Sequence, residues 1–173
     1  MAEVLLTEST ERHEGYALFL DKACKVLAVI SGVILTLMAL MSIRSIVGRT
    51  FFESPLLGDY ELVQMMCAVA VALALPYTHW VKANVIVDFF TAHTSEKTNA
   101  GLDALANLFL AIFSAVISWR LLVGLFDLRS AEDASMLLGI PTWWSYSAMV
   151  PSFALLSLTA LHAAVANLRK FQK

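Results

Sequence analysis

Leu62–Val81, LVQMMCAVAVALALPYTHWV, decides the fold: twenty residues pass without an Asp, Glu, Lys or Arg. As a helix rising about 1.5 Å per residue, the stretch is about 30 Å long, the thickness of a bilayer's hydrocarbon core. A helix satisfies its own backbone hydrogen bonds, which hydrocarbon cannot do for any open structure. Pro76 lacks a donor and crowds the preceding turn, so a kink is predicted toward the C-terminal end of this span. Tyr77 and Trp80 flank it as interfacial aromatics do.

Three more stretches outward from this one share the property. Val26–Ile43 is uncharged and can run to Val47 if Arg44 snorkels. Ala104–Trp119 extends past Arg120 to Phe126, with Arg120 taken as lying near the outer end of its span and snorkelling. Ala134–Leu168 is uncharged throughout, and Pro141 is a natural first residue for its helix. The whole chain agrees: of 173 residues 59% are hydrophobic and 15% charged, with a mean hydropathy of +0.73. A soluble domain carries about 25% charged residues and could not hide so much apolar surface. The expectation is an all-α membrane protein with four transmembrane helices, spanning about 26–47, 62–81, 104–126 and 142–168, and short interfacial segments.

Residues 1–25 are polar and acidic, without the basic region that precedes the apolar core of a cleavable signal, so the first span is expected to stay in the membrane. Residues 1–15 read as loose and Tyr16–Lys25 as an interfacial lead-in. Residues 169–173 form a second tail. Of the 12 Lys and Arg, eight fall in the two tails and the connection between spans two and three. Both termini are therefore expected in the cytoplasm. A net charge of −2 gives no reason to expect nucleic-acid binding, and Cys24 and Cys67 read as small apolar residues without a disulfide.

The first outer loop, GRTFFESPLLGDYE (48–61), ends in Asp59 and Glu61, which complement the positive end of the second helix dipole. Glu61 either does only that or meets a specific partner, and Arg49 is placed to pair with it across the loop. The second outer loop, LRSAEDASMLLGIP (128–141), reads as a short amphipathic helix capped by Ser130, with Glu132 and Asp133 in its first turn and Gly139 and Pro141 as its stop. Trp143, Trp144 and Tyr146 then make an aromatic belt.

Chemistry is sparse. No span carries a carboxylate in its middle, and no matched pair of helix breaks marks a transport pathway. His79 and His162 could in principle hold a haem between facing helices, which keeps open a haem-bearing membrane anchor or redox subunit. An unrelated membrane assembly factor is the other alternative. No cofactor and no metal site is expected, and no phosphate-binding loop or nucleophile elbow is present, so the chain does not read as an enzyme. What remains is a small apolar unit suited to packing against another membrane protein.

The succession VGRTFFESPLLGDYELVQ (47–64) and KANVIVDFF (82–90) resembles the small membrane subunit, of DctQ type, of tripartite ATP-independent periplasmic (TRAP) transporters. Arg49, Glu61-Leu62 and Val85-Ile86-Val87-Asp88 match the pattern, and GIPTWWSYSAMVPSFALL (139–156), with Pro141 and Pro151, resembles the family's last span. Gly58, Asp59 and Tyr60 stand where many members carry a tryptophan and a second glutamate, and Asn84 stands where many carry histidine. The resemblance implies a one-to-one partnership with a large membrane subunit that carries the substrate and sodium sites. A periplasmic substrate-binding protein would deliver an organic acid to the complex. It implies that this chain is a brace surrounded by membrane lipid, with Arg49, Glu61, Asn84, Asp88 and Arg120 as candidate structural or partner-interface residues and Trp80, Trp143 and Trp144 as interface aromatics. Asp88 caps a local turn, pairs with Lys82, or orders its loop against the large subunit.

Overall fold

The computed structural model describes residues 2–52, 57–81 and 96–171, with side chains at 15–52, 57–81, 99 and 101–168. Four helices account for nearly all of it: α1 (Ala2–Phe52), α2 (Asp59–Trp80), α3 (Glu96–Ser130) and α4 (Trp143–Phe171). All four are long and apolar enough to cross a membrane, and no strand occurs among the described residues beyond one isolated bridge.

Residues 1–15 are a first correction. They were expected to be loose, but α1 already runs from Ala2. No proline interrupts that stretch and its first glycine is Gly15, so a stretch with four Glu and two Leu has no reason to leave the helix. At 51 residues α1 is about 77 Å long, more than twice what a membrane needs.

The helices form a single row in the order α1, α2, α4, α3, in which α3 touches only α4 among the described residues. Among the described residues no closed bundle encloses a core. The accessible surface is 12226 Å², whereas a compact soluble chain of 19.0 kDa exposes about 8,400 Å². Apolar residues lie all round each helix, so no narrow stripe directs them into a ball.

Small residues hold the row together. Lipid tails solvate leucine as well as protein does, so close backbone approach and a few polar contacts decide association. Ala70, Ala72, Ala104, Ala111, Ala160 and Ala164 are buried at the contacts. Four serine hydroxyls donate across neighbouring helices: Ser31 to the Ala70 carbonyl at 2.7 Å, Ser152 to Ala72 at 2.6 Å, Ser118 to Val150 at 3.0 Å and Ser157 to Ala111 at 2.8 Å. The bond to Ala72 has a further reason. Pro76 has no N–H to give the carbonyl four residues back, and the buried Ser152 hydroxyl supplies the missing donor.

Residues 131–142 are the second correction. The predicted amphipathic helix is absent; α3 runs through Ser130 and stops in a Schellman motif. Asp133 N–H reaches back to the Leu128 carbonyl at 3.1 Å, Glu132 N–H to Arg129 at 3.4 Å, and Glu132 takes the left-handed position at φ 52°. Ser130 ends the helix it was expected to begin, its hydroxyl donating to the Asp127 carbonyl at 2.9 Å. The chain then folds into a narrow turn in which Ser135 and Ile140 pair through N–H to carbonyl at 2.9 Å and Ile140 N–H to the Ser135 hydroxyl at 3.2 Å.

A candidate partner interface

Among the described side chains the charged residues collect toward the helix ends, and Arg120 stands between them. At the end carrying the 131–142 turn, three elements meet. Gly58 starts α2 at φ 76°, and Leu138 lies so close over it that a Cβ there would collide with the leucine side chain. That contact seats the turn beside the first residues of α2. The Glu61 carboxylate then accepts the N–H of Leu137 at 3.1 and 3.2 Å and that of Leu138 at 3.3 Å. Glu61 is thus a clasp for its own chain's outer turn, in addition to sitting in the first turn of α2.

Arg49 does not reach Glu61. Its guanidinium lies 3.9 Å from the carboxylate of Asp59, which also accepts a short hydrogen bond from the Ser45 hydroxyl. Arg49 is 69% exposed, so the pair contributes about 0–1 kcal/mol at most. Asp59 was read from the sequence only as a helix-end charge; Ser45, the buried half of the contact, was missed because one serine in an apolar run carries no directional signal.

At the same end Arg129 lies over the Trp143 ring, 5.4 Å from its centroid, and Trp144 meets Trp143 edge to face at 6.1 Å. At the opposite end Trp80 donates from Nε1 to Asp21 at 3.0 Å, and the other Asp21 oxygen pairs with Lys25 at 2.7 Å. Leu20, Cys24 and Leu155 are buried beside Tyr77 and Trp80, so α1 reaches α4 here. His162, the second of the two candidate haem ligands, stands beside the rings of Trp80 at 5.8 Å and Tyr16 at 6.2 Å. Asn84 and Asp88, with Lys82 as a possible ion-pair partner, lie outside the described residues.

The sequence reading has Arg120 near a span end and snorkelling; the cross-helix serine bonds set it level with the middle of α2. Ser118 on α3 is level with Val150, Ser152 two residues on is level with Ala72, and Ala70 is level with Ser31. Ala70 is midway along the 22 residues of α2, a helix about 33 Å long against a hydrocarbon core of about 30 Å. Arg120, two residues from Ser118, is within about 3 Å of that middle level. Ser130, the loop end of α3, lies a further ten residues or about 15 Å away, and helical side chains lean toward the N-terminus, here away from that end. Arg120 is exposed and has no ion pair with a described residue. On the insertion scale an arginine at a helix centre costs about 2.5–3.5 kcal/mol.

Among the described residues no reacting pair of groups converges; what they offer is apolar surface along the row. A protein-family model described as "Tripartite ATP-independent periplasmic transporters, DctQ component" matches residues 37–170. Comparison with curated proteins and with solved structures gives no match.

Proposed function

Because the chain belongs to the DctQ component family of the tripartite ATP-independent periplasmic transporters, we propose that it acts as a fixed, non-catalytic brace for the large transport subunit. The family is one of transporter components, not enzymes, and its members sit in the inner membrane as multi-pass proteins that work with a large membrane subunit and a binding protein. The hydrocarbon core crosses 26–47, 62–81, 104–126 and 142–168, with residues 1–25 and 169–173 as cytoplasmic tails and the 131–142 turn on the periplasmic side. The Lys and Arg asymmetry supports this orientation.

One observation carries the brace: four spanning helices stand in a single row, so the chain widens a neighbour's membrane footprint without enclosing a path of its own. No Asp or Glu occurs within any of the spans. The transport we assign to the complex is sodium-coupled, binding-protein-dependent uptake of an organic acid, with one copy of this chain per large subunit. Arg49, Glu61, Asn84, Asp88 and Arg120 serve assembly, with Trp80, Trp143 and Trp144 holding the row at depth. Proteoliposomes holding this chain alone should take up no organic acid under a sodium gradient. Those with the large subunit and the binding protein should do so, and should lose uptake when this chain is omitted. Uptake by this chain alone, or full uptake without it, refutes the brace.

A further inference from the structure

We propose that the face of α3 turned away from α4 is the docking face for the large membrane subunit, and that Arg120 pairs there with a buried carboxylate of that subunit. The proposal rests on the brace function above and names the contact through which it works. In a helix, Arg120 is half a turn round from Ala111, which is buried against α4, so its side chain leaves the outer edge of the row. Phe109, Phe113 and Val116 share its side of α3 and are all exposed. The charge stands level with the middle of α2 and about 15 Å from the loop end of α3, in an apolar stretch where an arginine calls for a partner.

The partner's chemistry follows from what this chain lacks. A second copy docked two-fold on the same face would bring Arg120 against Arg120. Docked on any other face, it would still offer no acid, because none of the four spans contains Asp or Glu. The neutralising group therefore comes from a different membrane protein, at mid-depth, and an arginine fork is matched by a carboxylate.

The test uses the assembled complex. Arg120→Met should lower the amount of large subunit recovered with this chain by about tenfold or more, since it strands the partner's carboxylate in hydrocarbon. Arg120→Lys, which keeps the charge, should retain most of it. Photo-crosslinkers replacing Phe113 or Val116 should capture the large subunit, whereas those replacing Val33 or Leu40 on the far edge should not. A mid-depth Asp or Glu in the large subunit, changed to Asn or Gln, should restore binding of the Arg120→Met chain. Undiminished recovery of Arg120→Met, crosslinks from positions 33 and 40 in place of 113 and 116, or capture of a second copy of this chain would overturn the proposal. If the wild-type chain itself recovers no large subunit, the brace function falls, and this proposal with it.

Discussion

Ser152→Ala should destabilise the fold strongly, and Pro76→Ala should abolish most of that sensitivity. In the native chain Pro76 leaves the Ala72 carbonyl without its helical donor, and the Ser152 hydroxyl fills the vacancy at 2.6 Å. Ser152 is 0% and Ala72 3% exposed, so no water can replace the hydroxyl. Removing it strands a buried carbonyl, at a cost of about 1–3 kcal/mol. With alanine at position 76 the helix regains its own N–H donor for Ala72. Ser152→Ala then removes only a supplementary interhelical bond, of the kind that averages about 0.6 kcal/mol in membranes. The two substitutions should therefore couple by about 1 kcal/mol. Reversible unfolding of the four proteins of this cycle in bicelles, followed by circular dichroism or steric trapping, measures the coupling directly. Independent sites add to within about 0.3–0.5 kcal/mol. An equal loss from Ser152→Ala in both backgrounds, within that margin, refutes the pairing of proline and hydroxyl.

Glu61→Ala should speed amide exchange at Leu137 and Leu138 by about tenfold, the equivalent of about 1.4 kcal/mol, while leaving exchange in the α3–α4 contact unchanged; unaltered exchange at those two amides contradicts the clasp. Gly58→Ala should cost about 1–2 kcal/mol for its positive φ alone, and Leu138→Ala in the same chain should recover only the steric part, as thermal unfolding in detergent would show. Glu132→Gly should raise stability by up to about 1 kcal/mol, because it places the residue without a Cβ in the left-handed position of the Schellman motif; a fall in melting temperature would contradict it. For orientation, Ser135→Cys should react with an impermeant thiol reagent added outside the cell and Ser95→Cys only after permeabilisation, and the reverse pattern would invert the proposed topology.

The four helices were legible because hydrocarbon imposes one demand, a long uncharged run, and the runs around Val26, Leu62, Ala104 and Pro141 meet it plainly. Their order was not. Helices apolar on every side carry no stripe to say which neighbour each face meets, and Ser31, Ser118 and Ser152 could each have bonded within their own helix. The level of Arg120 against the other helices was illegible for a related reason: counting from the start of an apolar run gives position along one helix, whereas bonds to α4 and α2 set it level with the middle of α2. In the 131–142 turn, Ser130, Glu132 and Asp133 match an N-terminal capping pattern. The glycine that usually announces a helix end is absent there, because Glu132 occupies its place. Of the candidate site, Glu61 and Arg49 were legible as members of the loop-end cluster, but their partners were not. Asp59 meets Arg49 only once α1 and α2 are packed, and the Leu137 and Leu138 amides meet Glu61 only once the turn lies beside α2.

The row order has a consequence for biogenesis. α1 packs on α2 and α3 on α4, so the chain consists of two helical hairpins, each closed by sequence neighbours. What unites them is the α2–α4 seam, with Tyr16 to Cys24 of α1 tying across to α4 at one end. The α1–α2 hairpin can enter the bilayer and close before the α3–α4 hairpin is synthesised. If the chain is cut between Trp80 and Glu96, the two pieces keep every serine bond within their own hairpin and lose only the covalent link across the seam. Co-expressed halves should then meet in the membrane and rebuild the seam through Ser152 and Ala72, which makes this small protein divisible at its middle without being divided in its fold.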